Sequence, residues 1–251
     1  MRRRQFLRIA AGASLVVPAS AVAAESRRFV LVHGAWHGAW CWQRVVPLLQ
    51  ARGHIAEAPT LAGLGERSAE LSDSITLDTH VSDVVDLIYA RELRDVVLVG
   101  HSYAGAVISG VADRVPDRLR RLVFLDAIII ESGQSVGLPA GRDPRRPAAI
   151  PPPPASAFGI ADPADLAWVQ RNLTPHPAGT FEPPLILQHP LGNGVPAVYV
   201  ACTRPAAMAH AAYQRMALSQ RGWQFVELAA GHDAMVTAPG ALSDLLERIA
   251  A

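Results

Sequence analysis

Serine, histidine and aspartate stand in this chain at places where a hydroxyl could be turned into a nucleophile. The segment Gly100-His101-Ser102-Tyr103-Ala104-Gly105 ends an apolar run and opens a stretch of small residues. A serine on a sharp strand-to-helix turn needs small neighbours two positions to either side, which Gly100 and Ala104 supply. Glycine is commoner where Ala104 stands; here the next residue, Gly105, is glycine. Such a turn lifts Oγ clear of the backbone and aims peptide N–H groups at the same space. The plainer reading is a serine capping an ordinary turn.

A serine hydroxyl is too weak a nucleophile by itself, so a base must take its proton and return it to a leaving group. Of nine histidines, His232 in Ala230-Gly231-His232-Asp233-Ala234-Met235 follows the last apolar run and precedes a closing helix, where a loop side chain could reach a central strand. The glycine-bracketed turn His33-Gly34-Ala35-Trp36-His37-Gly38 follows the first run and lets a peptide N–H approach a developing oxyanion. The expected donors are the amides of Ala35 and Tyr103, while His33 and His37 are read as shaping the loop. A third group must orient the imidazole. Asp126, ending Phe124-Leu125-Asp126-Ala127, is the expected acid. It keeps the order Ser102, Asp126, His232 along the chain, although it could instead cap the next segment. Asp233 adjoins His232, and neighbouring loop side chains diverge, which makes it a poor orienter.

The elements that must hold these residues alternate. Apolar runs Phe29–Val32, His54–Ala58, Asp95–Val99, Leu119–Leu125, Val195–Cys202 and Trp223–Ala230 are separated by helix-sized stretches. Helices are expected at Val45–Arg52, Thr79–Tyr89 (with Asp78 as cap), Ala104–Val115 (stopped by Pro116) and Ala241–Ile249. Near-continuous apolar strands between helices predict an α/β fold, a mostly parallel sheet covered on both faces. From about 131 to 194 the rhythm breaks into a proline-rich insertion containing Pro151-Pro152-Pro153-Pro154, Phe158, Trp168 and Phe181. An irregular insertion of this length usually serves as a lid or binding loop. Trp36, Phe158, Trp168 and Phe181 are expected to line a substrate pocket, with core packing as the alternative for each. Trp40 and Trp42 are read as packing beneath the insertion.

The 251 residues are half apolar, and all 23 basic residues are arginine. Arg2, Arg3, Arg4 and Arg8 sit in an N-terminal stretch of basic, apolar and small residues ending Ala21-Val22-Ala23, the pattern of an export signal over 1–23. The Arg3-Arg4 pair before Phe6-Leu7 resembles a twin-arginine address, so an exported, periplasmic or secreted protein is expected, with residues 24–251 as one domain. The apolar stretch is shorter than a bilayer span, so no stable membrane insertion is expected. Without that stretch the chain carries 19 Arg against 22 acidic residues, a balance of −3, and no basic stripe invites nucleic acid. In an oxidising compartment Cys41 and Cys202 could pair or remain buried thiols.

Taken together, Phe29–Trp42, Gly100-His101-Ser102, Val198–Thr203 and Gly231–Met235 resemble the α/β-hydrolase superfamily. Within it they are similar to the plant methyl-salicylate and methyl-jasmonate esterases, the hydroxynitrile lyases, and bacterial esterases related to both. Thr60–Ser68 resembles the bacterial branch. The resemblance implies an α/β-hydrolase fold and hydrolysis of small, fairly apolar carboxylic esters through an acyl-enzyme, with no metal or organic cofactor. Plant members carry their acid just after the Cys-Thr pair, where this chain has Arg204-Pro205. The lyases use a threonine beside the first-strand histidine and a lysine after the catalytic one. Those places hold Gly34 and Asp233, and the chain has no lysine, so cyanohydrin cleavage is disfavoured. A non-catalytic small-ligand binder is the alternative that the missing carboxylate after Thr203 motivates.

Overall fold

A computed structural model describes residues 25–137, 149–204 and 221–251. The expected leader, 1–23, lies outside the described residues, as does part of the insertion. Strands β1 (Arg28–Val32), β2 (Ile55–Glu57), β3 (Val96–His101), β4 (Leu119–Leu125), β7 (Ala197–Cys202) and β8 (Gln224–Leu228) form one sheet in the order β2-β1-β3-β4-β7-β8. Every pairing is parallel. This matches the α/β expectation, with strand ends displaced by one or two residues.

Alternation along each strand divides the core in two, because successive side chains of a strand point to opposite faces. Val30, Val32, Leu98, Leu122 and Phe124 belong to one buried cluster, together with helices α2 (Leu77–Ala90) and α3 (Ala104–Arg114). Phe29, Leu31, Val97, Val99, Val123 and Leu125 belong to the other, with α1 (Val46–Ala51) and the C-terminal helix Pro239–Ala250. Burial on both faces explains why the strands read as unbroken apolar runs. Each fully buried Leu, Val or Phe contributes about 1.5–3 kcal/mol.

In α2, Leu77, Val81, Val84 and Ile88 are all buried, recurring at the spacing that keeps one helical face inward. The expected Asp78 cap is corrected: Thr76 is the N-cap, in extended conformation and in a reciprocal capping box with Thr79. Asp78 falls in the first turn and pairs with Arg114. Helix α3 stops at Val115, because Pro116 cannot continue it.

The insertion leaves the sheet after β4 and returns at β7. It contains a two-stranded antiparallel ribbon, β5 (Ala149–Ile150) with β6 (His176–Pro177), and a single turn of 3₁₀ helix at Ala155–Phe158. Helix α4 (Pro163–Asn172) is started by Asp162, whose side chain accepts the Asp165 amide, and by Pro163 in the first turn. Cys41 and Cys202 are both buried and unpaired, so of the two readings of the cysteines the free thiols hold. Among the described residues no helix is long and apolar enough to cross a membrane.

Candidate active site

The C-terminal ends of β1, β3 and β4 and the loop after β8 converge. Ser102, one residue past β3, has φ +54°, a left-handed conformation costly for a non-glycine residue and held only by its surroundings. Its amide donates to Leu125 O (3.1 Å), and its carbonyl accepts from Gly105 (3.1 Å) and Ile128 (2.9 Å). The neighbours must be small for spatial reasons. A Cβ on Gly100 would meet Ala104 O at 2.7 Å, and one on Gly105 would meet Ile128 O at 2.0 Å. Gly105 is required because α3 lies against a backbone carbonyl there.

Asp126 stands one residue past β4, next to β3 in the sheet, also with positive φ (+44°). Its Oδ2 lies 2.6 Å from Nδ1 of His232, and its Oδ1 accepts the Cys202 amide at 3.2 Å. With Nδ1–H donating to the carboxylate, Nε2 is the nitrogen left to act as a base. The two side chains remain 24% and 22% exposed, accessible to a small molecule. Asp233, at 0%, is not. Ser102 Oγ makes no hydrogen bond to another described residue. Contacts of this kind often tighten only when substrate is bound.

Asp233 turns the other way. Its Oδ2 accepts from Nε2–H of His37 at 3.0 Å, while Nδ1–H of His37 donates to Ala35 O at 2.7 Å. Both ring nitrogens therefore carry protons. Burial opposes that charge, but the Asp233 carboxylate, by its charge and its hydrogen bond, lifts His37 above the ordinary imidazole value. In turn, although burial disfavours its ionised form, the charge of His37 holds Asp233 below the usual carboxylate value.

The amide between Gly34 and Ala35 is set by its own carbonyl. Gly34 O accepts from Nδ1–H of His33 at 2.8 Å, and Nε2 of His33 accepts the Leu61 amide at 3.1 Å. Those partners assign a neutral ring. Burial pushes His33 down to about 3. Tyr103 is anchored through its side chain, whose hydroxyl donates to Nδ1 of His80 at 3.0 Å, with Nε2–H of His80 bonded to Ala62 O. Burial pushes His80 down to about 4. Neither the Ala35 nor the Tyr103 amide has a hydrogen-bond acceptor among the described residues. Tyr103 caps the N-terminus of α3, the end of a helix that favours negative charge.

The predicted pocket residues separate. Trp36 has ring contacts with Phe158 (6.2 Å) and Phe181 (6.5 Å), and Phe158 stacks on His232 at 6.3 Å. Trp36 also binds the insertion through Nε1–H to Ile150 O (3.0 Å) and its amide to Nδ1 of His176 (3.3 Å). Trp168 stands apart, edge-on to Trp40 at 5.4 Å and beneath the Arg44 guanidinium at 4.8 Å. A cavity of about 540 Å³ is lined by Ile160, Arg204 and Gly231 among others, and neither Ser102 nor His232 is in its wall.

His101, His232 and Asp233 bring potential metal ligands within 4.8 Å of one another. These groups already have proton-sharing partners: His101 Nε2–H donates to His232 O at 3.0 Å, and Asp233 is paired with His37. Sequence reasoning missed this histidine lattice. Its visible trace was the His33–His37 pair on a glycine turn, His101 next to the serine, and His80 one residue before Val81 on the buried face of α2.

The chain matches the alpha/beta hydrolase family over residues 29–245. The chain belongs to that family. Over 237 residues the hydrolase is 37% identical to a carbendazim hydrolyzing esterase from Nocardioides sp. (strain SG-4G), a match covering 87% of this chain and 97% of the relative. It is 36% identical to esterase PIR7B of Oryza sativa subsp. japonica over 126 residues, about half of each chain (49% and 47%). Among solved structures, an extracellular alpha/beta-hydrolase from a Paenibacillus species superposes with a TM-score of 0.76 at 28% identity, covering 88% of this hydrolase and 98% of that chain. That protein is described as sharing structural and functional homology with tobacco salicylic acid binding protein 2. The Arabidopsis methylesterase MES16 shares the fold, with a TM-score of 0.74 at 24% identity over 89% of this chain and 98% of its own.

Proposed function

We propose that this hydrolase is a serine carboxylesterase acting on small, fairly apolar esters. The observation that carries the reading is the 2.6 Å contact between Asp126 and His232, together with a serine held at positive φ just past the central strand. Ser102 Oγ attacks the ester carbonyl as His232 Nε2 takes its proton. The tetrahedral oxyanion is met by the amides of Ala35 and Tyr103, donors that need no reorganisation at the moment of reaction. His232 then protonates the departing alcohol, leaving an acyl group on Ser102. Water, deprotonated by the same imidazole, releases the acid and restores the hydroxyl. Asp126 holds the Nδ1–H tautomer and stabilises the imidazolium formed in each half. None of these steps calls on a metal or cofactor.

The esterase relatives support this class of reaction, and carbendazim, which one of them hydrolyses, belongs in any substrate screen. The non-catalytic alternative rested on the missing carboxylate after Thr203, and Asp126 supplies one from the neighbouring strand. The lyase alternative meets a steric objection, because a Cβ on Gly34 would lie 3.0 Å from Ser102 Cβ and 2.9 Å from His101 Nδ1. A threonine there would collide with the elbow.

A fluorophosphonate probe tests the reading, since only an activated serine reacts. Labelling that maps to Ser102 by mass spectrometry is expected; an unlabelled protein contradicts it. Export is proposed on the Arg3-Arg4 signal alone. It predicts a mature N-terminus at Ala24 and dependence on the twin-arginine route, and an uncleaved cytoplasmic product would overturn it.

A further inference from the structure

Besides Asp126, a second carboxylate, fully buried, stands immediately after His232. Asp233 and His37 form an ion pair with neither side chain open to solvent, and each is tied to a different part of the machinery. His37 holds Ala35 O at 2.7 Å, fixing the turn that carries one oxyanion donor. Asp233 shares a peptide bond with His232 and donates its amide to Phe158 O at 3.1 Å, which fixes the base loop against the insertion. Its other oxygen, buried without a hydrogen-bond partner, lies 3.7 Å from Nε2 of His101. His101 Nε2–H binds the carbonyl of His232 at 3.0 Å, and His101 is joined in sequence to Ser102. A continuous chain of contacts results: oxyanion turn, His37, Asp233, base loop, His101, nucleophile.

The geometry points to the His37–Asp233 pair as a positioning element that locks the oxyanion turn to the His232 loop, so that turnover depends on a charged pair that touches no substrate. The inference rests on Ser102 and His232 acting as described above. Stability alone does not account for the pair, since uncharged groups of similar shape commonly replace a buried ion pair without loss. Orientation does account for it. A charged imidazole donates at both nitrogens, and only a two-proton ring can bind Ala35 O and a carboxylate together. The neighbouring neutral rings cannot substitute: His33 and His101 are each held by burial at about 3.

The test is the double variant His37→Gln/Asp233→Asn, which removes both charges and keeps hydrogen-bonding groups of similar volume. The inference expects a folded protein with kcat lower by roughly 10–100-fold and KM within about threefold, the signature of displaced groups and not of lost binding. Wild-type kcat in the folded double variant would overturn it. A second measurement needs no variant fold: imidazole nitrogen NMR of the wild-type chain should show His37 doubly protonated at neutral pH, and a singly protonated ring would overturn the inference as well. Ser102→Ala run in parallel separates the layers. Turnover surviving that change removes the underlying reading, whereas a fully active double variant with an inert Ser102→Ala removes the positioning role alone.

Discussion

Oδ2 of Asp126 lies 2.6 Å from Nδ1 of His232 across 106 residues of chain. The contact exists because β4 and β7 are neighbours in a parallel sheet, and β8, which precedes the His232 loop, is the next strand out. The acid therefore reaches the imidazole from inside the sheet, and the usual place after β7 is free to hold Arg204. Asp126→Asn should leave the fold intact and lower kcat by on the order of 10³–10⁴, as loss of the orienting carboxylate leaves the wrong tautomer. Steady-state hydrolysis of p-nitrophenyl acetate measures it. A change of less than about tenfold would remove Asp126 from the mechanism.

Gly34 is held small by the elbow it faces, since a Cβ added to it would lie 3.0 Å from Ser102 Cβ. Gly34→Ala should displace either the oxyanion turn or the serine and lower kcat by roughly 10–100-fold. Parallel thermal unfolding should show a loss of about 1–3 kcal/mol from overpacking. An unchanged kcat would show that the turn and the serine are not rigidly registered.

Gly105 answers a different constraint. A methyl there would sit 2.0 Å from Ile128 O, backbone that cannot rotate aside. Gly105→Ala should cost about 3 kcal/mol or more, against the small gain that alanine normally brings to a helix. A urea unfolding midpoint equal to wild type would contradict the close approach of α3 to the chain after β4.

Stability should depend on pH through the buried histidines. Burial holds His33 and His101 at about 3 and His80 at about 4, against an ordinary 6.5. Between 6.5 and those values the unfolded chain binds more protons, so stability falls as the medium is acidified, by up to about 1.4 kcal/mol per pH unit for each ring. His37 has the opposite sign. Its raised value adds stability that is fully present below 6.5 and lost as pH rises through its folded value. Asp233, lowered, adds stability present above its ordinary 3.8 and lost as pH falls through its folded value. Together these shifts make stability rise as the medium is brought up from acid through pH 6.5, and His37 lowers it again once its folded form loses a proton. Urea unfolding across a pH series at fixed ionic strength measures the curve, and a midpoint flat from pH 6.5 to about 5 would contradict it.

Much of this arrangement is legible from residue order. The alternation of apolar runs and helices predicts the parallel sheet because both sheet faces are buried, and Asp126 is legible because it ends such a run. The cap of α2 lies two residues from its expected place, since Asp78 and Thr76 are both good capping types and only backbone conformation separates them. The insertion resists reading because its strands are two residues long and its order comes from distant partners, such as Trp36 with Ile150 and His176. The His37–Asp233 pair is invisible for the same reason: nothing local to either residue signals a partner 196 positions away.

The most direct test of the account is Ser102→Ala assayed for ester hydrolysis alongside the wild type. Retained structure by circular dichroism with kcat lower by several orders of magnitude, on the order of 10⁴ or more, is the predicted result. A folded Ser102→Ala protein that hydrolyses p-nitrophenyl acetate within a few-fold of the wild-type rate would contradict it.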